Sequence, residues 1–276
     1  MLKYVYILTQ NKYKCTEDKM IDLEKAKSEF ERYTGNYDME NWRIVGKHDH
    51  SLRVMDYCGE IAEKKGLNEE DILLAKLIGL IHDIARFDQW TQYETFEDMK
   101  SFDHGERAVL ILEDNDYLRW YIDTDEYDYI IKAAIRNHNK YEMESGLDER
   151  QKLFSRIVRD ADRVDILNEY VGFFLPDDKD VEKVNNSYVS KEVFKQIEEK
   201  KMVNSINSET PLDEVVRALG FIYDINFKET KDIIEKNQFY SKILDRFDFK
   251  MENTRREMDV IKNNVFKEIN SKWSEK

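Results

Sequence analysis

All five histidines lie in the first half of the chain, and four of them form an ordered series with aspartates: His50, the adjacent His82 and Asp83, His104, His138 and Asp162. Neutral imidazole with carboxylate is a donor set that suits iron, manganese or a similar divalent ion. Asp83 emerges from the most apolar segment of the chain, where a carboxylate is costly to bury without a cation or several hydrogen-bond donors. The residue types point to a metal site; the plainer alternative makes each a satisfied core histidine or a salt-bridged surface acid.

Such a site needs elements that converge. His50, Val54, Cys58 and Ile61 form one stripe of a helix over 50–62, and 71–81 is apolar nearly all round, as in a central buried helix that ends at His82 and Asp83. Ser101 and Asp103 mark a helix start at His104. His138 shares a face with Ile131 and Ala134 in a helix over 130–138, and Asp162 shares one with Val158 and Ile166 in a helix over 154–167. These separate helices are thus expected to aim ligands into one bundle interior, where helical bundles build metal sites. Elsewhere Met20, Leu23, Ala26 and Phe30 predict a helix over 20–33. Thr210, Pro211 and Asp213 read as an N-cap, a first-turn proline and a first-turn acid, and Met258, Ile261, Val265 and Ile269 predict a last helix. Residues 1–15 read as a short strand or irregular lead-in, and the polar DDKDVEKVNNS after Pro176 reads as a loop. The fold class expected is all-α: a lead-in over 1–19, a helical core over 20–175 and a helical C-terminal extension over 176–276.

Composition narrows the classes further. Only 9 Gly and 2 Pro among 276 residues exclude collagen-like and linker-rich chains, and 41% apolar with 37% charged residues suits long helices with solvated faces. The formal charge of −14 repels nucleic-acid backbones, so no polymer partner is expected. Cys15 and Cys58 offer neither a disulfide framework nor a zinc-finger spacing. The apolar stretch LLAKLIGLIH is too short to span a bilayer, and MLKYVYILTQNKYKC lacks the pattern of a secretory leader. No membrane partner and a cytoplasmic location are expected, with homo-oligomerisation left open.

The stretches KHDHSLRV, AKLIGLIHDIARF, SFDHGERA, AAIRNHNKY and RDADRVDIL, spanning residues 47–170, resemble the HD-domain metal-dependent phosphohydrolases. TFEDMKSFDH is similar to an uncharacterised bacterial branch of that superfamily. The resemblance implies a mononuclear set of His50, His82, Asp83 and Asp162. It adds His104 and His138 for a second ion, with Asp83 as the bridge. It also selects His50 over His48, which is left as a surface or supporting residue, and Asp162 over Asp160; Asp49 and Asp165 remain surface or capping residues. The cyclic-dinucleotide branch carries a double histidine and a Gly-Tyr-Pro motif, whereas this chain has His138-Asn139 followed by KYEME. The pattern instead resembles the branch that hydrolyses symmetrical dinucleoside tetraphosphates, and the HD-fold di-iron oxygenases.

The resemblance implies one or two divalent ions, iron or manganese first, with magnesium, cobalt, nickel or zinc as alternatives. Two bridged ions lower the pKa of a shared water and clamp a phosphate, so the activity expected is hydrolysis of a phosphoester or phosphoanhydride of a nucleotide or another small phosphorylated metabolite by a metal-activated hydroxide. The alternatives are a di-iron oxygenase and a non-catalytic metal-retaining module. Phosphoryl transfer needs cations for the equatorial oxygens: Arg53, Arg86, Lys140 and Arg163 flank ligands, and Arg86 and Lys140 join Asp83 as the expected catalytic residues. Phe87, Trp90, Tyr93, Phe96 and Phe102 could stack a nucleobase, close a lid or serve as core.

Overall fold

The computed structural model describes residues 20–172 and 178–271. The lead-in expected over residues 1–15, and Cys15 with it, lie outside the described residues. Among those described there is helix and no strand. The first eight helices are α1 (Leu23–Thr34), α2 (Trp42–Lys64), α3 (Glu69–Ile81), α4 (Ala85–Tyr93), α5 (His104–Glu113), α6 (Leu118–Tyr121), α7 (Asp128–Asn137) and α8 (Glu149–Gly172). They are followed by α9 (Asp178–Asn185), α10 (Lys191–Glu198), α11 (Pro211–Leu219), α12 (Lys228–Asn237), α13 (Phe239–Leu244) and α14 (Glu252–Ile269).

Side-chain caps set where several of these helices begin. Asp22, Asn41, Asn68 and Asp103 each accept backbone N–H groups that the first turns of α1, α2, α3 and α5 leave free. Thr210 and Asp213 form a reciprocal capping box around Pro211, as the sequence predicts. The DDKDVEKVNNS stretch departs from the expected loop: Asp178–Asn185 is helix. Lys179, Glu182 and Lys183 are exposed while Val184 is buried, and so short an amphipathic turn resembles a polar loop when only composition is read.

The core forms around α3, which packs along α2 and touches α8, while α8 also packs on α2 and α7. Leu74, Leu77, Leu80 and Ile81 of α3 are inaccessible to solvent, and full burial of each such side chain contributes about 1.5–3 kcal/mol. α2 and α3 approach closely at Gly79, where a Cβ would lie 2.8 Å from Cys58 Sγ and 2.9 Å from Met55 Cα. The C-terminal helices α11, α12 and α13 dock on α8. No helix among the described residues is long and apolar enough to cross a membrane.

Candidate metal centre

The ligand candidates converge from five elements. His50 projects from within α2, His82 and Asp83 follow the end of α3, His104 opens α5, His138 follows the end of α7, and Asp162 lies within α8. All four of these histidines are buried. Each has its Nδ1 tied to an acceptor: His50 to Asp165 Oδ2 at 2.7 Å, His82 to the Gly79 carbonyl at 2.7 Å, His104 to Asp98 Oδ2 at 2.6 Å and His138 to the Ile135 carbonyl at 2.6 Å. His82 and His138 use one device, bonding a carbonyl that the end of their own helix leaves without an intrahelical donor. An imidazole that donates from Nδ1 presents its Nε2 lone pair, the state in which it ligates a cation.

The Nε2 atoms turn inward around Asp83, whose two carboxylate oxygens face different partners. Oδ2 lies 3.5 Å from His50 Nε2 and 3.7 Å from His82 Nε2. Asp162 Oδ1 completes this first set at 3.2 Å from His50 Nε2 and 3.8 Å from His82 Nε2. Asp83 Oδ1 lies 3.4 Å from His104 Nε2 and 3.5 Å from His138 Nε2, the second set. Potential ligand atoms in each of the groups His50–His82–Asp83 and Asp83–His104–His138 fall within 4.8 Å of one another.

The chemistry of the donors fits a divalent cation. His50 Nε2, His82 Nε2 and Asp83 Oδ1 are buried without a hydrogen-bond partner, an expensive condition that a cation relieves. The Nε2 atoms of His104 and His138 stand 2.9 Å apart. Metal–nitrogen bonds of about 2.0–2.1 Å bring two imidazoles on one ion to roughly this separation.

The protonation balance is consistent with ligation. Burial lowers the pKa of His82, and burial with the Arg86 charge lowers that of His104 to about 4, so both rings are neutral near pH 7. Burial and Lys47 also press His50 toward neutrality, but the Asp162 and Asp165 carboxylates beside its two ring nitrogens outweigh them and its pKa rises to about 9. A cation taken up there displaces that proton. Burial raises the Asp83 pKa, yet the Lys47 and Arg86 charges overcome it and hold the carboxyl well below its ordinary range.

The remaining expected residues divide. His48 bonds Asp49 and Glu31 and stacks on Phe30, away from the cluster. Asp160 is buried but accepts from Asn226, Phe227 and Thr230. Arg86 donates to Gln89, the Phe96 carbonyl and Asp98 while its Nε lies 3.5 Å from Asp83 Oδ1. Lys140 Nζ is held by Asp103 at 2.5 Å, beside the backbone of His104, rather than at Asp83. Arg53 grips Asp165, and Arg163 pairs with Asp224. Phe87 is core, packed on Phe30, Tyr33 and Tyr37, whereas Trp90 pairs with Phe96.

Three residues at the centre were missed by the sequence reading. Asp165 is not a surface or capping residue: it is wholly buried and orients His50. Its spacing from Asp162, three residues along one helix face, is the signal that could have found it. Asp98 orients His104, and Lys47, three residues before His50, places Nζ 3.0 Å from Asp83 Oδ2.

Comparison with known proteins agrees with this geometry. Residues 48–167 match the family model of the HD domain, and that segment contains the entire ligand series. Residues 48–167 are therefore assigned to the HD domain, which points to the superfamily of metal-dependent hydrolases. No curated protein and no solved structure matches it.

Proposed function

We propose that the protein is a metal-dependent phosphohydrolase that cleaves a phosphoester or phosphoanhydride of a nucleotide or another small phosphorylated metabolite. The observation that carries this reading is the division of Asp83: one buried carboxylate turns its two oxygens toward two separate sets of inward-facing imidazoles. Divalent ions bound there supply a nucleophilic water at neutral pH and a clamp for phosphate oxygens.

The chain's own residues supply the rest. Asp83 ties the two donor sets together, and Asp162 completes the first. Asp165 and Asp98 fix the ring orientation of His50 and His104, which keeps their donor atoms aimed while substrate exchanges. Lys47 and Arg86, the two cations nearest Asp83, are placed to meet the charge that spreads over the equatorial oxygens.

The test is phosphate or nucleoside release from a nucleotide panel, under anaerobic conditions, with manganese or ferrous iron, for wild type and Asp83→Ala. Release by wild type alone is expected. Turnover that requires dioxygen, or equal release by the variant, would overturn the reading.

A further inference from the structure

One face of α2 continues outward from the candidate metal centre. Arg43, Lys47 and His50 follow at spacings of four and three residues, which places them in one row. Lys47 is the inner member, with Nζ 3.0 Å from Asp83 Oδ2 and 5.5 Å from the centre of the Phe96 ring. Arg43 lies one helical turn farther out, a rise of about 6 Å. Its guanidinium sits 3.9 Å above the Trp42 ring and 5.4 Å from the Trp90 ring. Trp90 in turn packs on Phe96 with ring centres 5.0 Å apart. The result is a continuous strip from Asp83 through Lys47, Phe96 and Trp90 to Arg43, ending at Trp42, which is 62% exposed.

The two cations differ in what they do without substrate. Lys47 stands on the carboxylate that both donor sets share, and cations filling those sets would compete for that carboxylate and free the ammonium for another anion. Arg43 is packed against the Trp42 and Trp90 indoles. Stacked guanidinium keeps its bidentate fork and suits a phosphate better than a flexible ammonium does.

We propose that this strip is an outer anion subsite, in which Lys47 and Arg43 bind successive phosphates, so that the substrate carries at least two linked phosphates rather than a single monoester. This inference rests on the phosphohydrolase reading and narrows it to oligophosphate compounds. The aromatic side chains beside the two cations give the same substrate an apolar surface.

The test is calorimetric binding of orthophosphate and of methylenediphosphonate, a non-hydrolysable linked pair, to the manganese-loaded full chain. Wild type is expected to bind the diphosphonate about tenfold or more tightly than orthophosphate, roughly the contribution of one charge-assisted bidentate contact. Arg43→Ala should abolish that preference with manganese content unchanged, and Arg43→Lys should keep part of it. Lys47→Met should weaken both probes. Equal affinity of wild type for the two probes, or an undiminished preference in Arg43→Ala, would overturn the subsite while leaving the phosphohydrolase reading intact. Failure of the loaded wild type to bind either probe would overturn both. Thermal melting of each variant establishes that it is folded.

Discussion

At the scale of single residues, the candidate centre is governed by which atom of each side chain is already engaged. Every buried histidine has one nitrogen tied to a carboxylate or a helix-end carbonyl, so the ligand atom is chosen before any ion arrives. Asp83 is the one side chain common to both donor sets. Asp83→Ala is therefore expected to lose both ions, whereas His104→Ala should lose the ion of the second set and keep that of the first. Asp98→Ala should leave the second set intact in composition but weaken it about 10- to 100-fold, the usual cost of removing a carboxylate that orients a ligating imidazole. Metal analysis after dialysis at graded free metal concentrations separates these outcomes. Unchanged content in His104→Ala would refute the two-set arrangement.

At the scale of elements, the centre depends on helix ends meeting closely. α5 begins where α7 ends, and Gly105 lets them touch: a Cβ there would lie 2.7 Å from Asn139 Oδ1 and 3.0 Å from the Ile135 carbonyl. That carbonyl is the one that orients His138. Gly105→Ala must displace the Asn139 amide and press on the Ile135 carbonyl, an overpacking expected to cost about 1–3 kcal/mol. It should also lower occupancy of the second set more than the first. A melt with the wild-type midpoint and full metal content would contradict this account. The same elements show what the sequence makes legible. His82 and Asp83 stood out because a polar pair closing so apolar a helix is conspicuous, while the choice of His50 over His48 and of Asp162 over Asp160 rested on the family resemblance. Lys47, Asp98 and Asp165 lie in charged surroundings, and Asp165 and Lys47 act on partners distant in sequence, His50 and Asp83. Helix α9 was hidden for a related reason, since Val184 is its one fully buried apolar side chain among charged neighbours.

At the scale of the whole molecule, α8 joins the centre to the C-terminal helices. Its inner face presents Asp162 and Asp165 to the donor sets, and two neighbouring residues face the other way. The Asp160 carboxylate accepts from the Asn226 and Phe227 backbones, the Asn226 amide and the Thr230 hydroxyl, which fixes the start of α12. Arg159 donates to the carbonyls of Asn137, His138 and Lys140 and pairs with Asp224. It thus clamps the segment that carries His138 while being anchored from the C-terminal part. We propose on this basis that the HD segment is not a separable domain. A fragment spanning residues 20–172 would strip Asp160 of those donors and Arg159 of its Asp224 counter-ion, and leaving a buried charge without its partner costs about 3–5 kcal/mol. That is a large share of the roughly 5–15 kcal/mol by which folded proteins are stable. The fragment is expected to melt without a cooperative transition and to bind no manganese under conditions where the full chain does both. A cooperative melt at the full-chain midpoint would show instead that the C-terminal helices are an appendage to a self-sufficient core.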